Sequence, residues 1–527
     1  MTRTPLKMKR LHAALLVGTL MVPAACSDYL DVNTNPNGPE VVSANLYLPP
    51  MLHWLVTSPQ FDGRFVGRYT QQWTLPGTSL STWSRMGYDP SSDNGAQQWR
   101  DVYWSLGQNL VDMMNLSRSE ERWDLLGIGQ VLKAWGWIVL TDLHGEIIVK
   151  EAIDQNRFAF DYDTQETAYQ EALSLLDSAI ANLSRTDGAV SSAYLAKGDV
   201  IYAGDRTKWL KYAYGLKAMA LNHFTNKASY KPADVIALVD KSFASNADDA
   251  LLSYPGLSPG SEDLNFLGWT RNNLRSYRQT QFVVNLMNGT EFGVEDPRMS
   301  RMLAPSPDGE FRGLDINVAN GGLAVALTPN NFYGYTTTTK TGPARYIFDD
   351  KSKMPSMTYA QLQFVKAEAA YRMGDKALAL TAYKNGISAH IDFVNARNSE
   401  AGQTPSQISN DEKAAFLASP QIVPAASALT LTHIMSQKYI AQWAWGHNEV
   451  WMDMRRYHYT DIDPASGRQV YPGFAPPTNL YPDNGGKLVW RIRPRFNSEY
   501  VWNREGLDAI GGLALDYHTV IPWIFLP

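Results

Sequence analysis

The sequence predicts an all-α, mainly helical protein in which four helix pairs form a scaffold and long irregular, loop-rich segments lie between them. Two observations carry this prediction. Apolar residues recur at helical spacing over much of the chain, and one segment has the spacing of a helical repeat. With 527 residues, 44% hydrophobic and 19% charged, the chain is long enough for several packed units.

The clearest helical pattern covers residues 164–183, where apolar side chains return every three or four positions. Asp163 precedes this segment and Glu166 follows three residues later, which predicts a capping box at the helix start. The segment from Ile128 to Leu140 is apolar on nearly every side, so we expect a helix that is buried all round.

A repeat signature lies between Tyr359 and Ile391. Small residues and one aromatic residue follow each other at intervals of seven, five, four and three positions: Ala367, Gly374, Ala379, Tyr383 and Gly386. This is the spacing of a tetratricopeptide repeat, in which small residues let two helices approach and the aromatic ring fills the groove between them. We predict four such helix pairs, at approximately residues 126–183, 206–245, 357–397 and 430–458.

The N-terminus has the pattern of an export signal. A basic start is followed by an apolar stretch from Leu11 to Val22 and by small residues directly before Cys26. Because Cys26 is the only cysteine, it cannot form an internal disulfide, and its position resembles a bacterial lipobox, which predicts lipidation. We therefore assign residues 1–25 to a signal peptide, 26–45 to an anchored linker and 46–527 to the folded domain.

The long irregular segments are the expected location of binding residues, since loops on a rigid scaffold commonly carry function. They cover residues 58–95, 252–275, 303–358 and 459–497. Sugar rings present an apolar C–H face that stacks on Trp or Tyr, so loop aromatics and amides are candidates. The alternative for each one is that it pins a loop to the scaffold. The candidates are Trp73, Trp83, Tyr88, Trp269, Asn272, Asn273, Tyr277, Phe332, Tyr333 and Tyr335.

The sequence offers no pattern that predicts catalysis, a cofactor or a metal site. The G-x-S-x-G match at residues 256–260 has Pro259 after its serine, and proline has no N–H for an oxyanion hole. Histidines and the one cysteine form no zinc motif. Asp142, Glu146 and Asp453 are carboxylates to consider for glycoside hydrolysis, but we interpret them as structural. The formal charge of −5 gives no footprint for nucleic acid.

Several motifs occur in an order that resembles one family. The mature N-terminus begins Cys26-Ser-Asp-Tyr-Leu-Asp, and Trp99 to Asn109 forms a tryptophan-tyrosine-asparagine helix. The remaining motifs are Thr141-Asp-Leu-His-Gly-Glu146, Asp205-Arg-Thr-Lys-Trp209, Asp296-Pro-Arg298, Gln437-Lys-Tyr439, Trp451 to Arg456, and Pro494-Arg-Phe496 with Glu499, Tyr500 and Asn503. Together they resemble the SusD/RagB family of nutrient-binding lipoproteins. His144 departs from the pattern, since an aromatic residue is usual there.

The resemblance implies a lipid-anchored outer-membrane protein that faces the exterior. Such a protein holds an oligosaccharide or similar nutrient and acts as a lid on a SusC-like TonB-dependent transporter. It implies no catalytic residue and no cofactor. Two alternatives remain open: a peptide- or protein-binding scaffold without a glycan ligand, and a surface glycoside hydrolase.

Overall fold

A computed structural model describes residues 42–77, 79–89, 93–257, 263–334, 344–400 and 407–527. The predicted signal peptide, Cys26, most of the predicted linker, Ser258, Pro259 and Tyr335 lie outside the described residues. The described part is mainly helical, which confirms the predicted fold class. Among the described residues, no helix is long and apolar enough to span a bilayer.

Eleven helices of eight or more residues build the described scaffold. They are α1 (Leu48–Tyr69), α2 (Gly107–Ser119), α3 (Trp123–His144), α4 (Gln165–Ser184), α5 (Arg206–Asn222), α6 (Pro232–Val239), α7 (Tyr359–Met373), α8 (Lys376–Asn398), α9 (Asn410–Ala418), α10 (Leu431–Gln442) and α11 (His447–Arg456). Shorter helices are Gln97–Arg100, Ser192–Leu195, Gln281–Met287, Met299–Met302 and Arg504–Ala509, and two π-helical segments cover Asp101–Leu106 and Phe496–Trp502. Helices α3 with α4, α5 with α6, α7 with α8, and α10 with α11 pack as pairs.

The pair α7 and α8 shows why the repeat spacing was readable. Gly374 ends α7 with a φ of +89°, a backbone conformation that glycine adopts without strain. Gly386 lets α8 approach α7, since a Cβ at this position would lie 2.9 Å from the ring of Phe364. Tyr383 is buried and donates a hydrogen bond of 2.7 Å to the carbonyl of Ile422. Gly374, Tyr383 and Gly386 therefore each have a structural role in this helix pair.

The start of α4 differs from the prediction by one residue. Thr164 caps the helix, since its side chain accepts a hydrogen bond of 3.2 Å from the N–H of Thr167. The Asp163 carboxylate instead accepts hydrogen bonds from the N–H groups of Val149 and Lys150, and so fixes the preceding loop. The predicted burial of α3 is confirmed, since nearly all its side chains are buried.

Short antiparallel strand pairs tie the loops to the scaffold. In the described residues, β1 (Trp73–Thr74) pairs with β3 (Arg278–Gln279), and Trp73 lies opposite Gln279. Strand β2 (Ala250–Leu252) pairs with β4 (Met354–Met357), and β5 (Ile462–Asp463) with β6 (Arg468–Gln469). The first two pairs each join segments far apart in sequence, and the irregular segment between β2 and β3 is therefore held at both ends.

A buried charge network joins α7, α10 and α11. Arg456 donates two hydrogen bonds to Glu368, of 2.8 and 2.9 Å, and also pairs with Asp453. Lys438 lies 2.8 Å from the other oxygen of Asp453. Burial alone would raise the pKa of Glu368, but the charge and hydrogen bonds of Arg456 hold that pKa well below its usual value. Lys438, Asp453 and Arg456, which belong to two of the C-terminal motifs, are thus parts of the core.

Candidate functional site

The irregular segment at residues 263–277, which we call the platform, is held rigidly by residues distant in sequence. Asp350 accepts hydrogen bonds from the N–H and the hydroxyl of Thr270, of 2.9 and 2.6 Å. The Asn265 side chain donates to the carbonyls of Ile347 and Asp349, at 2.7 and 2.9 Å. Polar groups of this loop that would otherwise bind water therefore form hydrogen bonds that fix the loop.

The platform rests on buried aromatic residues from two other predicted loops. Trp73 and Tyr277 meet edge to face, with ring centroids 6.1 Å apart. The Tyr333 hydroxyl accepts a hydrogen bond of 2.8 Å from the N–H of Leu274. Arg68 donates to the hydroxyl of Tyr277 at 2.6 Å and lies over its ring. The segment that follows α1, the platform and the segment that begins at residue 303 consequently meet at one place, and residues 58–69, which we predicted as irregular, form the end of α1.

Most of the sequence-predicted candidates lie beneath this surface. Trp73, Trp83, Tyr88, Tyr277, Phe332 and Tyr333 are buried, each at most 9% exposed. Trp83 and Tyr88 form a separate pair with centroids 4.9 Å apart, and Trp83 also packs against Phe65. As placed here, these rings cannot present a face to a dissolved sugar; they pin the loops. Asn273 is likewise turned inward and donates to the carbonyl of Phe266.

Two of the predicted candidates remain on the platform surface. Trp269 is 39% exposed, although it stands in a rigidly held loop. Asn272 is exposed and has a φ of +58°, a conformation that asparagine tolerates better than most residues. The same segment exposes Arg275, which the sequence reasoning did not single out. An indole face with amide and guanidinium donors nearby can stack on an apolar ring face and bind hydroxyl groups.

The carboxylates considered for hydrolysis have structural partners. Asp453 is bound by Lys438 and Arg456, and Glu146 pairs with Arg491. Asp142 accepts a hydrogen bond from the Tyr169 hydroxyl. A general acid or nucleophile must face substrate, whereas these groups are occupied by cations or hydroxyls of the protein itself.

Asp142, His223 and Glu449 form a group whose ligand-type atoms lie within 4.8 Å of one another. The geometry is that of a charged bridge, since His223 directs Nδ1 to Asp142 at 3.5 Å and Nε2 to Glu449 at 3.2 Å. Burial opposes protonation, but the two carboxylates raise the pKa of His223 to about 9. The protonated His223 side chain therefore supplies the positive charge between the carboxylates of Asp142 and Glu449.

The structure thus presents a helical scaffold that carries a rigidly held loop platform, with Trp269 exposed on it. The sequence matches the SusD-like family described as "Starch-binding associating with outer membrane" over residues 36–482. The chain belongs to this family. SusD-like proteins are binding proteins that associate with the outer membrane. No curated protein matches the sequence.

Solved structures share the fold over nearly their whole length. A SusD/RagB family protein from Bacteroides thetaiotaomicron has a TM-score of 0.68 at 23% identity, covering 92% of this chain and 99% of the other. A SusD homolog from Bacteroides fragilis has a TM-score of 0.70 at 17% identity, covering 92% and 100%. A chitin-binding SusD homolog from Flavobacterium johnsoniae has 0.67 at 19%, covering 92% and 98%. At these identities, the likeness concerns the fold.

Proposed function

We propose that this protein captures an oligosaccharide at the cell surface and holds it on the platform without chemical change. The observation that carries the proposal is Trp269, a tryptophan that stays 39% exposed on a loop fixed by Asp350. An exposed indole on a fixed loop offers a flat apolar face with one polar handle, which suits a binding surface. Family membership and a chitin-binding homolog of the same fold support a carbohydrate as ligand.

Rigidity is what makes an exposed ring effective. A loop that must be ordered on binding loses conformational entropy, which weakens affinity. Here the order is supplied in advance by Thr270, Asn265 and the buried Tyr333 hydroxyl. Exposed Asn272 and Arg275 add hydrogen-bond donors around the ring for the sugar hydroxyls.

Replacing Trp269 by alanine is expected to weaken glycan binding at least about tenfold, since a single stacking tryptophan commonly contributes over 1.4 kcal/mol. The measurement is calorimetric titration of the mature protein with a glycan panel that includes chitin and starch oligosaccharides. Trp104→Ala is the matched control, because Trp104 is 67% exposed but lies outside the platform. Equal affinity of Trp269→Ala and the wild type for every bound glycan would exclude the platform as the site.

The proposal includes delivery. Cys26 would carry lipid chains that hold the protein on the outer membrane, facing the exterior, and a SusC-like TonB-dependent transporter would receive the nutrient from beneath it. Two or more acyl chains give a stable anchor, since each buried CH₂ contributes about 0.8 kcal/mol. An interface that supports a lid must also exceed about 1,000 Å².

Substitution of Cys26 by alanine is expected to abolish incorporation of an alkyne palmitate and to move the protein from the membrane fraction to the soluble fraction. Wild-type protein, solubilised in detergent, should retain a TonB-dependent barrel through purification. Membrane retention of the unlabelled variant would contradict the anchor. Recovery of the wild type without any barrel would contradict the partnership and leave the glycan proposal standing.

A further inference from the structure

A second concave site lies away from the platform. A pocket of about 250 Å³ is enclosed by the π-helical segment Asp101–Leu106, residues 148–160 and the second π-helical segment Phe496–Trp502. Its walls are mostly apolar, with four aromatic rings: Trp99, Tyr103, Trp104 and Phe160. It adjoins a wider, polar depression of about 560 Å³, and both share Arg100, Trp104 and Arg495. We call the two together the C-terminal cleft.

The walls of the cleft are fixed from behind. Asp101 is buried and accepts hydrogen bonds from the hydroxyls of Ser58 and Ser105, which anchor the π-helical segment. π-Helical turns are rare and are frequent at functional sites. The Tyr103 hydroxyl donates to the carbonyl of Ile148 at 2.7 Å and accepts from its N–H at 2.9 Å. The pocket is therefore preformed.

The cleft is lined by two arginines, Arg100 and Arg495, and by two carboxylates, Asp93 and Glu499. The Arg100 guanidinium lies 4.5 Å from the ring centre of Trp104 and forms no hydrogen bond or ion pair with any residue that the structure describes. Arg495 pairs with Asp93 through Nε, at 3.2 Å, and its terminal amino groups are not part of this ion pair. The Glu499 carboxylate, which also lines the pocket, accepts hydrogen bonds from Tyr162 and Asn503, of 2.6 and 3.0 Å. An incoming anion thus meets guanidinium donors first.

We propose that the C-terminal cleft binds an amphipathic carboxylate, with an aromatic or branched apolar body in the pocket and its carboxylate on Arg100 and Arg495. A dry apolar cavity of about 150 Å³ accommodates benzene, so this pocket has room for a phenyl ring with a short chain. An apolar body suits these walls, because polar groups buried against an apolar surface lose their hydration. Planar guanidinium groups bind carboxylates through paired hydrogen bonds. This site is independent of the glycan platform.

The test uses three probes and titration calorimetry on the mature protein. 3-Phenylpropanoate should bind, its neutral amide at least about tenfold more weakly because the charged hydrogen bonds are lost, and acetate not measurably because it lacks the apolar body. Arg100→Gln should weaken 3-phenylpropanoate binding at least about tenfold. Arg118→Gln is the matched control, since Arg118 lies on the adjoining α2 and contacts only Asn115 among the described residues.

Folding is not at risk in the Arg100 variant, because the side chain is partly exposed and its described contact is with one ring. Equal affinity for the acid and the amide, unchanged binding by Arg100→Gln, or no binding of 3-phenylpropanoate would each overturn the proposal. Competition by a platform glycan would overturn its independence. Loss of glycan binding in Trp269→Ala with retained 3-phenylpropanoate binding would support two separate sites.

Discussion

Replacing Arg456 by methionine is expected to lower the free energy of unfolding by about 3–5 kcal/mol, the usual cost of removing one partner from a buried ion network. The loss leaves the carboxylates of Glu368 and Asp453 in the core with fewer donors. Glu368 keeps the Tyr457 hydroxyl and the Asn222 amide, at 2.6 and 2.8 Å, but not the paired guanidinium bonds. Arg456→Lys should cost less, since it keeps the charge without the bidentate geometry.

The measurement is urea unfolding followed by circular dichroism, with all variants at the same pH and salt concentration. Arg312→Met is the control, because Arg312 forms an exposed ion pair with Asp308, and surface pairs contribute little. The expected order of stability is wild type and Arg312→Met together, then Arg456→Lys, then Arg456→Met. An Arg456→Met midpoint equal to that of Arg312→Met would show that the buried network does not stabilise the fold.

His144→Phe is expected to make the protein less sensitive to acid. Burial, together with the positive charges of Arg491 and Arg455, lowers the pKa of His144 from 6.5 to about 3. As pH falls below 6.5, the unfolded chain takes up a proton that the folded protein does not, so folding stability decreases until about pH 3. Between pH 6.5 and 4, this one residue removes about 3 kcal/mol of stability.

Phenylalanine keeps an aromatic ring at this position and has no titratable nitrogen. His144 packs edge to face on Trp99, with ring centroids 4.9 Å apart, and its Nε2 has no partner among the described residues. The variant loses the Nδ1 contact with the Ile492 carbonyl, of 2.9 Å. The stability of His144→Phe relative to wild type should therefore rise as the pH is lowered from 6.5 to 4.

The control for this experiment is Trp99→Phe, which alters the same contact without removing a titratable group. Its stability difference from wild type should be the same at both pH values. The measurement is the free energy of unfolding of the wild type and both variants, from unfolding curves at pH 6.5 and pH 4. A His144→Phe difference that does not change with pH would mean that His144 does not resist protonation in the folded protein.

The scaffold was predictable because its signals are local. The spacing of Ala367, Gly374, Ala379, Tyr383 and Gly386 reflects contacts between adjacent helices, so the sequence alone contains the information. The burial of α3 was equally predictable, because the segment is apolar on nearly every side. The cap at Thr164 was missed by one residue because Asp163 is an equally good capping residue in sequence, and only its contacts with Val149 and Lys150 distinguish the two.

The site was less predictable, because exposure depends on distant partners. Tryptophans in a loop look alike whether they pin it or present a face, and Trp73 and Trp269 differ only in their surroundings. Asp350 fixes the platform from 80 positions away, which no local pattern signals. The Arg100–Trp104 pair follows helical i, i+4 spacing, and no local pattern indicates that it adjoins a π-helical segment and lines a cleft.

The central claim is that the exposed indole of Trp269 on the rigid platform binds a sugar, which is later released without chemical change. Oxidative footprinting of the mature protein, with and without its best-binding glycan, reports the accessibility of each tryptophan directly. The account predicts that glycan protects Trp269 from oxidation, leaves Trp104 as reactive as before, and is recovered intact. Protection of Trp104 without protection of Trp269, or recovery of a cleaved glycan, would contradict it.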